Sequence, residues 1–404
     1  MSLPLIDGTN KYYYYTVLTQ LRFTKIVNIL FIVQSLGLGL VKFALLQSIF
    51  LFSQLIFELP SGVLGDLLNK KIVVLAGLII LTTSPMLIYF TYYMPEFESF
   101  PILILAFTLE GIGNALLSGT DDAIFFETIR DEHQEKRYGK IRGNIQLISA
   151  IAMGIATLTG GILYSVDQFY PFLFQSLMLL LALMIIASIN NKDKVREANR
   201  DTNLMQNLRD TLGVFKLLTK SSNIFFLFVY SSIIAAVVNA FFGLLPEYIS
   251  KIGFTSAQNG GIFMLFSLIG GLIATQAYRL SGVKLNRLIF TILLVLFLSL
   301  IFQYGGNKYV FLIGIGLIYI ILDILDPIIM EMLHLWVSDK SRATVISGMS
   351  LFISLVTMII TPAMGLLIQK TNTIITGSFT AVLMILLTVT AYILLNKSRK
   401  KQKG

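Results

Sequence analysis

The chain has 404 residues, of which 55% are hydrophobic and only 13% are charged. Soluble domains carry about 25% charged residues, so this composition excludes an ordinary water-soluble protein and predicts a polytopic membrane protein. Cysteine is absent, which excludes a disulfide framework and thiolate metal sites.

Twelve long apolar runs follow one another along the chain, and each suits a membrane helix of about 20 residues. They lie at 14–36, 42–64, 72–94, 101–124, 141–164, 169–189, 224–249, 257–280, 285–304, 309–333, 344–368 and 374–395. Unbroken runs exclude the alternating pattern of a membrane β-barrel. We therefore expect an all-α membrane protein with twelve transmembrane helices in two pseudo-symmetric six-helix bundles. The predicted domains are an N-terminal bundle (1–189), a cytoplasmic linker (190–223) and a C-terminal bundle with a basic cytoplasmic tail (224–404).

The basic residues give the orientation. With the N-terminus in the cytosol, 25 of the 31 Lys and Arg residues fall in cytosolic segments and only three fall in outer loops. This bias explains the net charge of +9 by membrane orientation rather than by nucleic-acid binding. We expect a bacterial cytoplasmic membrane protein that crosses the membrane many times, with both termini cytoplasmic.

Two bases, Arg22 and Lys25, interrupt the first predicted helix within two or three turns of the cytosolic surface. Long basic side chains at such positions can extend to the interface. The alternative is that Arg22 pairs with a buried acid and contacts an anionic group of a substrate.

The joint between the second and third helices combines glycines with charge: Gly62, Asp66, Asn69, Lys70 and Lys71. This segment resembles the corresponding loop of the major facilitator superfamily, whose pattern is G-x-L-a-D-r-x-G-r-k. Asn69 replaces the second glycine, and because Asn tolerates positive φ we expect the turn to survive. Segments 58–62, 118–123 and 342–347 are similar to a bacterial branch of drug exporters, so the resemblance covers essentially the whole chain.

The resemblance implies the major facilitator fold and a latch that closes the cytosolic side. Asp66 would face the start of the eleventh helix near Arg342. Lys70 would pair with an acid at the end of the fourth helix, either Asp121 or Glu127. The predicted latch residues are Gly62, Asp66, Lys70, Lys71, Asp121, Glu127 and Arg342. The other interpretation is a solvated loop that only obeys the positive-inside rule.

Three acids lie at membrane depth, where each costs about 2.5–3.5 kcal/mol on insertion scales. Glu110 follows Pro101 by about 13 Å of helix, which places it near the midplane. Asp323 and Asp326 lie one turn apart on the tenth helix, and two neighbouring acids should not both stay ionised there. All three are candidates for proton coupling, whereas the alternative for Glu110 is a protonated side chain hydrogen-bonded between helices.

In the family the first, fourth, seventh and tenth helices line the substrate cavity. Polar candidates for that cavity are Arg22, Asn28, Gln34, Asn114 and Asn239, although single amides also serve simply to join helices. The arginine of the family's fourth helix would fall at Phe107 and is missing. In the fifth helix Gly160 and Gly161 predict close helix packing.

The leading functional hypothesis is a secondary active transporter that exports small toxic or antibiotic-like compounds by proton antiport and alternating access. Alternatives are a dedicated exporter of a self-made antibiotic or peptide that gives the producer immunity, a nutrient symporter, and a lipid flippase. No nucleophile or metal constellation predicts an enzyme, and no nucleotide-binding motif is present. We expect no cofactor or metal, the proton gradient as energy source, a small-molecule or peptide-like substrate, the lipid bilayer as surroundings, no nucleic acid, and a monomer.

Overall fold

The computed structural model describes residues 8–67, 69–131, 138–189, 222–277, 285–336, 339–371 and 373–403. Every regular element within these ranges is a helix. The α-helices are α1 (Gly8–Gln20), α2 (Val27–Leu30), α3 (Leu40–Leu67), α4 (Lys70–Phe90), α5 (Glu96–Leu117), α6 (Thr120–Asp131), α7 (Tyr138–Val166), α8 (Tyr170–Ala187), α9 (Ser222–Lys251), α10 (Ser256–Ala277), α11 (Leu285–Gln303), α12 (Lys308–Trp336), α13 (Asp339–Lys370) and α14 (Thr373–Lys403). A π-helical turn (Phe31–Ser35) and a 3₁₀ turn (Thr91–Tyr93) complete them.

Ten helices of the described residues are long and apolar enough to cross a membrane, and Ile289–Gln303 is a shorter apolar helix. Large apolar side chains remain exposed on the outer faces, for example Leu147 at 62% and Phe290 at 68%. Such faces suit lipid rather than water, where wide apolar patches are rare. The protein is therefore an all-α, multi-pass membrane protein, as its sequence predicts.

The first predicted helix is not continuous, which corrects the expected run 14–36. It ends at Gln20 and resumes at Val27. Within the break the amides of Arg22 and Phe23 donate to carbonyls only two residues earlier, at 2.8 and 3.2 Å. The carbonyl of Phe23 then lies against Gly160 of α7, where a Cβ would come within 2.2 Å of the oxygen. Packing against α7 thus accompanies the departure from helical geometry.

The fourth predicted helix, 101–124, is also divided. Gly119 adopts φ +74° between α5 and α6, a conformation that favours glycine, and it separates the membrane helix from a shorter helical stalk. The seventh helix begins at Ser222, two residues inside the predicted linker, and 190–221 lie outside the described residues.

The chain divides into two compact units. Unit 1 comprises the described residues of Met1–Leu204 together with Gly253–Leu265, the latter including the first part of α10. In this unit α5 packs against both α3 and α4, and α4 packs against α8. Unit 2 comprises the described residues of Met205–Ile252 and Phe266–Gly404, where α9 packs against α13 and α14, and α11 packs against α12 and α14.

Candidate functional site

The start of α1 is joined to α6 by tyrosines and acids. The Tyr12 hydroxyl donates a hydrogen bond to Asp122 Oδ1, and the Arg142 guanidinium donates to the same oxygen and, at 2.7 Å, to the Tyr12 hydroxyl oxygen. The Tyr15 hydroxyl donates to Asp121 Oδ2 at 3.1 Å. Since Arg142 lies in the first turns of α7, three helices meet in this network. Asp121, a predicted partner of Lys70, is engaged here by helix α1 instead.

The two lysines that begin α4 have separate partners. Lys70 forms an ion pair with Glu127 of α6, and the two side chains are 27% and 23% exposed. Lys71 donates instead to the carbonyls of Ala187 and Ile189 at 2.7 and 2.8 Å, at the carboxyl end of α8. A cation at that end also complements the helix dipole. Both contacts lie within unit 1, and a latch between bundles stays a proposal.

Asn69 lies in the joint between α3 and α4 without the positive φ that its sequence permits. Its φ and ψ are −61° and 117°, and its Oδ1 accepts a hydrogen bond from the Lys71 amide at 2.9 Å. An extended Asn that caps the first turn satisfies a free helix amide without any left-handed residue.

Four predicted site positions have side chains outside the described part of the chain. Gly62 and Asp66 fall in the last turns of α3, so the helix continues further into the expected loop than its glycines suggested. Asp326 falls in α12 and Arg342 in α13. Their proposed contacts stay predictions.

Glycines fix the orientation of α5. A Cβ on Gly111 would lie 2.5 Å from the backbone oxygen of Phe50 in α3, and one on Gly113 would lie 2.6 Å from Leu81 Cγ in α4. These two faces of α5 are therefore in close contact with neighbouring helices. Glu110 and Asn114 are four residues apart and share the remaining face between them.

Helix α1 and the break after it reach that face. Arg22 Nη2 donates to Asn114 Oδ1 at 3.1 Å, while Asn114 Nδ2 donates to the Glu110 carbonyl at 2.8 Å. Through Asn114 the Arg22 guanidinium is thus linked to the backbone of Glu110. Lys25 Nζ donates to Met153 Sδ of α7 at 3.0 Å. We call Arg22, Lys25, Glu110 and Asn114 the helix-break cluster.

In the helix-break cluster Arg22, Glu110 and Asn114 are partly buried in unit 1, whereas Lys25 is exposed. Arg22 follows Tyr15 by seven residues, and Glu110 precedes Asp121 by eleven residues. Because the Tyr15 hydroxyl donates a hydrogen bond to Asp121, the segment that leads to Arg22 and the segment that leads to Glu110 start from the same contact. Arg22, in the break after α1, thus brings a base to the face of α5 that carries Asn114. Phe107, where the family's arginine would fall, packs edge-on against Phe43 at 6.3 Å.

The other polar cavity candidates differ in exposure. Asn28 is buried at 7% exposure, and its Oδ1 has no hydrogen-bond partner among the described residues. Gln34, in the π-helical turn, and Asn239, in α9, are exposed. Of these three amides, Asn28 alone combines burial with a missing partner.

In unit 2, Asp323 of α12 lies against α10. A Cβ on Gly270 would come within 2.0 Å of Asp323 Oδ2 and 3.1 Å of Tyr319 Cε1, so a larger residue there would require the Asp323 carboxyl to move. The Tyr319 ring packs edge-on against Phe242 at 4.9 Å and stacks on Phe266 at 5.9 Å. Asp323 therefore stands at the edge of an aromatic group contributed by three helices.

Sequence reasoning overlooked several polar residues that the structure makes prominent. Tyr12 and Tyr15 lie in a run of four tyrosines, and their spacing of three on one helix face was the available signal. Glu247 is 3% exposed near the end of α9 and lies 3.5 Å from Lys251. An acid just after a proline, four residues before a lysine, carried no signal beyond a helix end.

Comparisons with known proteins place this architecture in a family. The family model for the Major Facilitator Superfamily matches residues 16–325. The uncharacterized MFS-type transporter YxaM of Bacillus subtilis (strain 168) is 25% identical over 243 residues, which are 59% of this chain and 57% of the relative's length. A point mutant of the nucleoside transporter NupG superposes with a TM-score of 0.77 at 12% identity, over 96% of this chain and 99% of that one. A D-xylose-proton symporter gives 0.72 at 10% identity, over 96% of each chain. The structural matches show a shared fold, and with the family model they establish that this chain belongs to the major facilitator superfamily.

Proposed function

We propose that this chain is a secondary active transporter of small molecules that is driven by the proton gradient, with Glu110 as its proton-binding residue. The observation that carries the proposal is the position of Glu110 on the face of α5 that also carries Asn114, to which Arg22 donates a hydrogen bond. An ionised carboxylate is costly at membrane depth unless a cation compensates it. Glu110 can therefore either stay ionised, with Arg22 as its compensating cation, or take up a proton. A transporter that couples proton movement to substrate movement requires both of these states.

The charge of the substrate sets the sign of the coupling. A cationic compound is favoured by ionised Glu110 and displaces its proton, which gives antiport. An anionic compound is favoured by protonated Glu110, which gives symport. Export of small toxic or antibiotic-like compounds by antiport is the form that the sequence motifs favour, and it is our proposal for cationic substrates.

Proton movement in proteoliposomes tests the role of Glu110. Vesicles loaded with the pH-sensitive dye pyranine would receive a panel of external compounds that spans both charge types, such as ethidium and benzoate. Entry of a compound by antiport makes the interior more alkaline, and entry by symport makes it more acidic. Because Glu110→Gln keeps the size of the side chain but cannot exchange a proton, we expect it to abolish either signal.

Glu98→Gln is the matched control, since Glu98 is an exposed acid on the same helix. It should leave the proton signal at the wild-type level. Wild-type proton flux in Glu110→Gln would show that the proton binds elsewhere and would overturn the proposal.

A further inference from the structure

The two bases of the helix-break cluster have neutral hydrogen-bond partners. Arg22 donates to the amide oxygen of Asn114, and Lys25 donates to the thioether of Met153. Among the described residues, neither base lies within 4.0 Å of a carboxylate oxygen. Arg22 is partly buried and Lys25 is exposed, and a cation inside a membrane protein is normally paired with an anion. The cluster therefore lacks the negative charge that its composition calls for.

Glu110 does not supply enough charge to balance the cluster. Two bases, Arg22 and Lys25, stand against this one acid. One positive charge is left over even when Glu110 is ionised, and two are left over when it is protonated. An anion from outside the chain would neutralise that excess.

The backbone around these bases also has the form of a ligand site. Residues 21–26 leave the helical path between α1 and α2, within the first apolar run that the sequence predicts to cross the membrane. Non-helical backbone at that depth is tolerated where it is buried in protein or lines a water-filled cavity. In transporters, discontinuous helices of this kind typically form the substrate site.

Asn28 provides an independent observation on the other side of the break. The backbone N–H of Asn28 donates a hydrogen bond to the Thr24 carbonyl at 2.9 Å, which places Asn28 one turn beyond Thr24. Its side-chain Oδ1 is buried and has no partner among the described residues. A buried acceptor without a donor is costly, and a donor group on a ligand would satisfy it.

We propose that the helix-break cluster binds a carboxylate group of the transported molecule, with Arg22 and Lys25 as its pairing cations and Asn28 as acceptor for a donor on the same molecule. This inference rests on the proton-coupled transport proposed above, and it adds the direction in which the proton moves relative to the substrate. Ionised Glu110 repels the carboxylate, so protonation of Glu110 favours carboxylate binding and, by reciprocity, binding favours protonation. Proton and carboxylate travel together, and antiport does not apply to this substrate class.

Three probes of one shape and different charge test the site: benzoate, benzamide and benzamidine. Their affinities would be measured by thermal shift on the purified full-length protein at one pH, with phenylacetate as a second carboxylate. We expect the carboxylates to bind more tightly than the amide or the amidine. Arg22→Gln and Lys25→Gln should each weaken carboxylate binding about tenfold or more, because each removes a charge-assisted contact.

The response of Glu110→Gln separates this site from a structural effect. Removal of the competing negative charge should strengthen carboxylate binding, opposite to the effect of Arg22→Gln. Arg22→Lys keeps the charge and should keep the preference for benzoate, and it replaces Arg22→Gln if that variant does not fold. Lys42→Gln is the control, since Lys42 is exposed and paired with Glu96 at 2.8 Å.

Equal binding of the three benzene probes to the wild type would overturn the carboxylate site, and so would weaker binding in Glu110→Gln. The proton site is judged separately by proton flux. Loss of flux in Glu110→Gln together with equal probe binding would retain the proton site and reject the carboxylate site. The expected binding pattern together with unchanged flux would do the reverse.

Discussion

Replacement of Gly160 by alanine tests whether the contact with α7 holds the break in the first helix. A Cβ at this position would lie 2.2 Å from the Phe23 oxygen, 3.0 Å from its carbonyl carbon and 3.1 Å from its Cα. All three atoms belong to the backbone, so no side-chain rotation relieves the overlap. The segment that carries Arg22 must move, or α7 must move away from it.

The required displacement follows from these distances. Ordinary contact begins at 3.4 Å, so the Phe23 carbonyl must shift by about 1.2 Å. Arg22 Nη2 now lies 3.1 Å from Asn114 Oδ1, and a comparable shift takes the pair beyond hydrogen-bond distance. Overpacking of this kind costs about 1–3 kcal/mol of stability. We expect Gly160→Ala to lose stability and to weaken carboxylate binding together.

Gly143→Ala is the matched control on the same helix, because a Cβ at Gly143 meets nothing within 4 Å. Alanine also favours helix over glycine by about 1 kcal/mol, so the control should be neutral or slightly more stable. Thermal unfolding in detergent and benzoate affinity would be measured for both variants. Equal stability and equal affinity would refute the reasoning, since the break would then not depend on the contact.

Two further predictions concern the polar contacts of each unit. Because the side chains of Lys70 and Glu127 are partly shielded, a double-mutant cycle with Lys70→Gln and Glu127→Gln in thermal unfolding should give a coupling of about 0.5–1 kcal/mol, whereas additive effects would contradict a direct pair. In unit 2, Gly270→Ala should reduce proton flux in the pyranine assay because the new Cβ displaces the carboxyl of Asp323. Gly271→Ala, where the Cβ meets nothing within 4 Å, should not. Equal flux in the two glycine variants would remove Asp323 from the transport site.

Hydrophobic run lengths were sufficient to predict the membrane fold, but not the continuity of its first helix. The run 14–36 contains neither glycine nor proline, so the local sequence gives no reason for a break at residues 21–26. The determinants are remote in the chain. Gly160 admits the Phe23 carbonyl, and Asn114 accepts the Arg22 guanidinium. Only tertiary packing brings these residues together, and a single sequence does not report it.

The choice of partner for Lys70 shows a second limit. Asp121 and Glu127 were equally acceptable from charge and spacing. In the structure Tyr15 of α1 donates to Asp121, and Glu127 takes Lys70. The tyrosine hydroxyls carry no formal charge, so a search for ionic partners could not include them.

The glycines beside Glu110 limit how the structure can respond when this acid gains or loses a proton. Gly111 and Gly113 press α5 against its neighbours, so Glu110 cannot move outward without a clash of backbones. A change in its charge must therefore be compensated by a group that can move. We propose Arg22 as that group in unit 1, because its long side chain donates a hydrogen bond to the neutral amide of Asn114 and forms no ion pair among the described residues. In the transport cycle that we propose, the protonation of Glu110 would decide whether Arg22 is available to a substrate, and this dependence would couple the proton to the substrate at the helix-break cluster.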